Sequence, residues 1–399
     1  MAIVKFVEVC EKIGSGATPR GGKEAYSDEG ISLVRSQNVL DFSFSSDGLV
    51  HINDEQAKKL KNVELHPDDV LLNITGDSVA RACIMDSSFL PARVNQHVAI
   101  VRGKKELVLN SYILYYLQWK KDYLLQLASA GATRNALTKG MIEQLDINLP
   151  SLTEQKRIVA VLDSIQQKIS VNKKINDNLQ QQAAAIFRSW FVDCAPFGGK
   201  APDEWENVTL EDITALVSRG ITPKYADDTD QIVINQKCIR NHTIDLSLAR
   251  THTPKIINEK WLRFGDLLIN STGDGTLGRA AQVWFQPKNL TVDSHVTIAR
   301  PAKENLIFYI GLWGILHEKE IESLHTGSTG QTELPRDRVK AMELLLPENE
   351  TLDRFNALIA PMAAAIVSNQ EENIRLAALR DALLPKLMSG EIDVSDIRF

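Results

Sequence analysis

Asp69-Val-Leu-Leu-Asn73-Ile-Thr75-Gly76-Asp77 returns 197 residues later as Asp266-Leu-Leu-Ile-Asn270-Ser-Thr272-Gly273-Asp274. A second pair follows in the same order. Val94-Asn-Gln-His97-Val-Ala-Ile-Val-Arg102 becomes Val292-Asp-Ser-His295-Val-Thr-Ile-Ala-Arg300, displaced by 198. Gly16-Ala-Thr-Pro19 matches Gly220-Ile-Thr-Pro223, Gly131-Ala-Thr133 matches Gly327-Ser-Thr329, and Leu149-Pro150 matches Leu346-Pro347. Five matches in one order at a nearly constant offset make the chain two copies of one unit of roughly 200 residues.

Each unit reads in two parts. The first is mixed: residues 30–35, 70–75 and 98–102 are short apolar runs bounded by turn residues, which predicts strands. Residues 109–127 predict an amphipathic helix capped near Asn110 or Ser111, copied at 305–323. The second part is a long helix. It begins at Ser151 or Thr153 after Pro150, with Glu154 in its first turn. Its apolar positions step by four and three through Ile158, Leu162, Ile165, Ile169, Asn172, Asn176, Leu179, Ala183, Ile186 and Trp190. That period is a coiled-coil seam. The second copy steps through Phe355, Ile359, Met362, Ile366, Asn369, Asn373, Leu376, Arg380, Leu383 and Leu387. Pro361 and Pro385 interrupt its pattern, and Pro361 is expected to kink or break the helix. Antiparallel packing would set Asn172 against Asn373 and Asn176 against Asn369, a polar layer that fixes register because a slip leaves amides unpaired. A seam of about 40 residues spans roughly 60 Å. Residues 196–204, rich in Pro and Gly, mark a boundary.

Composition narrows the function classes. The chain has 399 residues, 44% hydrophobic and 24% charged, which suits a globular protein of two or three domains. A net charge of −6 counts mildly against nucleic-acid binding, but phosphate attraction depends on local Lys and Arg clusters. Cys10, Cys83, Cys194 and Cys238 lie far apart, so neither a disulfide framework nor a structural metal site is expected. The start carries no basic region followed by a long apolar core, and no run is long enough to span a bilayer, so a cytoplasmic location is expected with no membrane partner.

Catalytic motifs are scarce. Gly273-Asp-Gly275-Thr-Leu-Gly278 fits G-x-G-x-x-G, with Asp293 at a distance suited to a ribose contact. The first copy keeps only Gly76 of these glycines, and residues 281–287 read as a strand rather than the required helix. No phosphate-binding P-loop, nucleophile elbow or H-E-x-x-H motif occurs. His97 and His295 each open an apolar strand, which favours a packing or hydrogen-bonding role, and Asp68-Asp69 reads as turn chemistry. No catalytic residue is expected.

Leu149-Pro-Ser-Leu-Thr-Glu154-Gln155-Lys156-Arg157-Ile158 resembles the start of the conserved helix in type I restriction–modification specificity subunits. The two-copy layout of domain plus helix is similar to that family over essentially the whole chain. Leu346-Pro347-Glu-Asn-Glu-Thr-Leu departs from the pattern, because it lacks Glu-Gln-Lys. The resemblance implies an α+β fold of two pseudo-repeated α/β target-recognition domains separated by two long antiparallel coiled-coil helices. The parts would be residues 1–150, the first recognition domain; 151–195, the first spacer helix; 196–347, the second domain; and 348–399, the second helix. It also implies a non-catalytic subunit that reads an asymmetric, two-part double-stranded DNA target, one part per domain. Partners would be two methyltransferase subunits, which hold S-adenosylmethionine, and, in a full complex, two restriction subunits, which use ATP and Mg. No cofactor would be bound by this chain. Helix residues Lys156, Arg157, Lys168, Lys173, Lys174, Arg188, Trp190 and Phe191 are candidates for docking partners or for a solvated or core face.

Base reading needs paired donors and acceptors, and phosphate contact needs cations, hydroxyls and amides. Polar loops between strands supply candidates. In the first domain these are Thr18, Arg20, Lys23, Arg35, Gln37, Asn38, Ser78, Arg81, Arg134 and Asn135. In the second they are Thr222, Lys224, Asn235, Gln236, Lys237, Arg240, Thr276, Arg279 and Gln331. Three other readings stay open at this point: a specificity subunit serving a methyltransferase alone, a two-lobed protein scaffold, and a nucleotide-cofactor enzyme built on the Gly273 loop.

Overall fold

The all-apolar runs predicted as strands are buried on both faces, and that fixes the layering. In this computed structural model, which describes residues 2–19, 21–130, 135–327 and 332–397, the chain divides into two compact units. One comprises residues 1–170 and 373–399, the other residues 171–372. The fold is α+β, with two equivalent mixed domains and two long helices.

In the first unit an antiparallel sheet has the order Cys10–Ser15, Val98–Gly103, Val70–Asn73, Ala82–Ile84. Its side chains alternate in the manner a pleated strand requires. Val70, Leu72, Ala99 and Val101 face a helical layer, whereas Leu71, Cys83, Val98 and Ile100 face a second sheet. That second sheet has the order Val50–Ile52, Ile31–Val34, Ala92–Val94, with the last pair parallel. The helical layer is led by α1 (Asn110–Trp119). It buries Tyr112, Tyr115 and Tyr116, whose hydroxyls donate to Asn148 O, Asp163 Oδ1 and Asp146 O. Buried tyrosines need such partners.

The second unit repeats the plan: Thr214–Arg219, Val296–Pro301, Leu267–Asn270 and Ala280–Gln282 form one sheet, and Arg250–Thr251, Ile232–Ile234 and Leu290–Val292 the other. Leu267, Ile269 and Ala299 face the helical side; Leu268, Ala281, Val296 and Ile298 face the other sheet.

The helix predicted over 109–127 is two helices. α1 ends at Trp119, Lys120 adopts a non-helical ψ of 11°, and a second helix spans Lys121–Ser129. Asn110 does not cap; its Oδ1 accepts the Gly103 amide at 2.7 Å and ties the helix start to the sheet. The copy breaks likewise, at His317.

The first long helix, α2 (Leu152–Phe191), starts with the predicted capping box. Ser151 N donates to Glu154 Oε2 at 2.9 Å, Glu154 N donates to Ser151 Oγ at 3.3 Å, and the hydroxyl holds the Glu154 carboxyl below its ordinary pKa. Gln155 is wholly buried; its amide bonds Leu107 O, Pro150 O and the Leu109 amide, pinning the helix to the loop before α1. The other long helix, α3 (Asn349–Ser389), runs uninterrupted through Pro361 and Pro385, contrary to the expected break. Pro361 sits on the exposed face, so its ring and missing N–H face water while Ile359, Ala363 and Ile366 stay buried around it.

Within the second unit the two helices run antiparallel. Asn172 Nδ2 donates to Glu372 Oε2 at 2.7 Å, Asn369 Nδ2 to Asn176 Oδ1 at 2.8 Å, and Asn176 Nδ2 to Ile366 O at 3.2 Å. Phe187, Trp190, Phe191 and Phe355 form an aromatic cluster there, so Trp190 packs against core. In the first unit Arg380 donates to Gln166 Oε1, and Leu384, Leu387, Met388 and Val394 join the core of the first domain.

Candidate nucleic-acid interface

Strand register brings sequence-distant loops to one end of each domain. In the first domain Asn73 pairs with Val98, Ser15 with Ala99, and Val34 with Val94. The segments after residues 15, 34, 73 and 94 therefore share one edge. Residues 135–137 join them, because Gly76 N donates to Asn135 O and Leu137 N to Ile74 O. The second domain assembles 220–222, 235–238, 271–279, 293–295 and 333–334 in the same way, through Asn270 with Val296, Arg219 with Thr297, Ile234 with Val292, and Leu334 N to Ser271 O.

Repeated residues build this edge. A Cβ on Gly16 would lie 2.2 Å from Val94 O, and one on Gly220 1.9 Å from Val292 O. Only glycine lets these backbones touch, which accounts for the Gly-x-Thr-Pro repeat. Asn73 is wholly buried, and its Nδ2 donates to Ser36 O at 2.9 Å, Ser78 Oγ at 3.1 Å and Val39 O at 3.3 Å. Asn270 donates to Gln236 O at 3.1 Å. One amide thus ties the turn after the 31–34 strand to the loop after the 70–73 strand, and Asn270 repeats the first of these links, to the turn after the 232–234 strand. Thr75 Oγ1 meets His97 Nδ1 at 2.6 Å; Thr272 Oγ1 meets His295 Nδ1 at 2.7 Å. Both histidine amides donate to the side chain two residues earlier, Asn95 at 3.1 Å and Asp293 at 2.9 Å. Burial raises the Asp293 carboxyl above its ordinary pKa.

The candidate contact residues divide by position. Thr18, Gln37, Asn135, Thr222, Lys224, Lys237 and Arg240 are exposed; Arg35, Ser78, Arg81, Gln236, Thr276 and Arg279 are half-buried. All but Lys224 and Arg240 stand on the assembled edge. Lys224 follows it closely, and Arg240 lies beyond the 235–238 turn in a two-residue strand. Arg35 Nη2 donates to Gly48 O at 2.6 Å and Gln37 Nε2 to Asp47 O at 3.2 Å, so the 43–48 loop is carried with them. Arg279 Nη2 donates to Gly275 O at 2.8 Å. Asn38 is wholly buried, with its Nδ2 given to Ser45 O and Asp47 O; Asn235, also buried, accepts Lys237 N and reaches Leu248 O. These two amides frame the turn rather than present themselves at its surface. Arg20, Arg134 and Gln331 lie outside the described residues, as does the Lys23 side chain. Of the Gly-Ala-Thr and Gly-Ser-Thr repeats only Gly327 is described.

At the opposite end of each sheet lies an ion pair not read from the sequence. Arg102 bonds Asp69 through Nε and Nη2, both at 2.6 Å; Arg300 bonds Asp266 at 2.8 and 2.7 Å. Both aspartates are wholly buried. Asp69 also closes the turn that the sequence suggests, since its carboxylate accepts the His66 amide at 2.8 Å; the signal for the ion pair is that both partners stand in the repeated segments. The Gly273–Gly278 loop leads into strand Ala280–Gln282, not into a helix whose N-terminus would face a pyrophosphate. Among the described residues no group of three His, Cys, Asp or Glu side chains could hold a metal ion, and no helix is long and apolar enough to cross a membrane.

Residues 1–181 match the model of the type I restriction modification DNA specificity domain. The chain is similar to the type I restriction enzyme MjaIX specificity subunit of Methanocaldococcus jannaschii, with 25% identity covering 99% of this chain and 94% of the relative. It is also similar to the HindI specificity subunit of Haemophilus influenzae, at 21% identity over 91% and 94%. The crystal structure of a type I restriction–modification S subunit from M. genitalium shares the fold, with a TM-score of 0.56 and 12% identity over 97% of this chain and 96% of that one.

Proposed function

We propose that the chain belongs to the type I restriction–modification DNA specificity family, and that its two domains each read one half of a bipartite, asymmetric DNA target. One observation carries the reading. The two loop edges share a backbone plan but differ in the side chains they carry: Ser36 and Gln37 stand where the second domain has Gln236 and Lys237, and half-buried Arg35 stands where it has the buried Asn235. A common frame with exchanged donors and acceptors suits two recognition surfaces for two different half-sites.

The rest of the proposal concerns the assembly. The chain acts as a non-catalytic adaptor in the cytoplasm. It docks two adenine methyltransferase subunits that hold S-adenosylmethionine, and through them two restriction subunits that use ATP and Mg. The strand after Gly278 supports the absence of a nucleotide cofactor from this chain, since a dinucleotide site needs a helix there.

Methylation mapping tests it. The chain is expressed with its methyltransferase subunit in a host lacking such systems, and methylated adenines are located across the genome. A two-part motif with a fixed spacer, lost when this chain is omitted, is the expected result. No new methylation, with that methyltransferase active alongside another specificity subunit, would replace the reading with a protein scaffold. Arg35→Ala is expected to relax the motif in one half only; equal loss in both halves would mean global misfolding.

A further inference from the structure

The internal repeat acts as a natural control on what each edge residue touches. Two domains that read different bases still meet the same sugar–phosphate backbone. Exposed groups that are identical in type and setting in both domains therefore suit the backbone, and groups that differ suit the bases. The Thr–His pair meets that criterion most fully. In both copies the ring is fixed through Nδ1 by a threonine of the loop after the central strand, and the histidine amide is fixed by the side chain two residues earlier. Such double anchoring leaves the Nε2 edge of a half-buried or exposed ring as the functional end. A threonine hydroxyl that donates to Nδ1 places the ring proton on Nε2 and makes it a donor. In the first domain Gln96 Nε2 lies 3.3 Å from that nitrogen; two donors cannot bond each other, so with the ring proton on Nε2 the exposed carboxamide turns its Oε1 inward or swings aside, and in the second domain Ser294 takes its place. Packing alone would not require an anchored ring at the loop edge, since its apolar neighbours Val98 and Val296 are already buried.

We infer that His97 and His295 are matched contacts to DNA phosphodiesters, one per half-site, donating from Nε2. The inference rests on the proposed function. Asp77 and Asp274, the repeated exposed acids further along the same loops, repel a phosphate there and confine it to the histidine side. Arg35 and Gln37, with Lys237 and Gln236 in the second domain, are left to read bases.

The test uses the complex of this chain with its methyltransferase subunit. Affinity is measured for the target duplex, for duplexes with one base pair changed in each half-site, and for target duplexes in which single phosphates are replaced by neutral methylphosphonates. His97→Ala and His295→Ala are each expected to weaken all base variants alike by about tenfold, the worth of one hydrogen bond to a charged group. Preference for the target over each altered duplex stays unchanged. Wild type loses affinity at one neutralised phosphate per half-site that the corresponding variant no longer senses. His97→Gln, which keeps an N–H donor, recovers part of the loss. A change of preference at a base pair would make the histidine a base reader and overturn the inference. So would unchanged affinity, or a loss that tracks a lowered melting temperature and is not recovered by glutamine. A wild-type complex with no preference among duplexes would instead remove the proposed function itself.

Discussion

Asp69→Asn should destabilise the first unit by about 3–5 kcal/mol. The carboxylate takes two hydrogen bonds from Arg102 at 2.6 Å and one from the His66 amide at 2.8 Å, and it is wholly buried. The substitution removes the anion but leaves Arg102, which is 8% exposed, with its charge buried and unmatched. Breaking one side of such a pair typically costs that much, because the remaining charge keeps its desolvation penalty. With a urea dependence of about 2 kcal/mol per molar, the midpoint falls by roughly 1.5–2.5 M. Fluorine-labelled tryptophan NMR resolves the units, since Trp119 is the tryptophan of residues 1–170 and the other five lie within 171–372. The Trp119 transition should move and the others stay. Replacing both partners, Asp69→Leu with Arg102→Met, should recover most of the loss, and Asp266→Asn should move the second unit instead. A shift for Asp69→Asn below about 0.5 M, or a double variant as unstable as the single, would refute the view that an uncompensated buried charge sets the cost.

Three more outcomes are expected. Gly16→Ala pushes a methyl into Val94 O and should destabilise the first domain by about 1–3 kcal/mol, read by thermal melting, whereas Gly14→Ala, with open space around it, should be far milder. Replacing Asn176 and Asn369 together by Leu should raise stability in urea while allowing helix-register slippage, visible as extra products in a cysteine cross-linking map. A hydrogen bond to Glu318 raises the His242 pKa, so this pair stabilises the fold fully below the ordinary histidine value of about 6.5 and loses its effect as pH rises through the raised one. Glu318→Gln should flatten melting temperature against pH over that window, and an unchanged profile would mean that the pair is not coupled to folding.

The repeat was legible because the residues that recur are those the layering constrains. Leu71 and Leu268, Asn73 and Asn270, and Arg102 and Arg300 are buried at matching positions in both units. The start of α2 was legible because a capping box is local: Ser151 and Glu154 are three residues apart. The Asp69–Arg102 pair was not, since its partners are separated by 33 residues and meet only through strand pairing. The break at Lys120 carries no glycine or proline to announce it. Pro361 misled in the other direction, because a proline rule applied to sequence does not know which side of the helix faces water. For the interface, loop polarity identified the segments but not their convergence. It could not separate Asn38, held inside its turn, from Gln37 beside it on the surface.

The first domain is also the last to be finished on the ribosome. Its core takes in Leu384, Leu387, Met388 and Val394, which are translated after the whole of residues 171–372. The second unit is one continuous stretch and can close as soon as it emerges, whereas the first must wait with part of its apolar surface uncovered until the final helix half arrives. Nascent chains stalled before residue 373 should therefore hold a folded second unit and a first unit still open to chaperones and proteases.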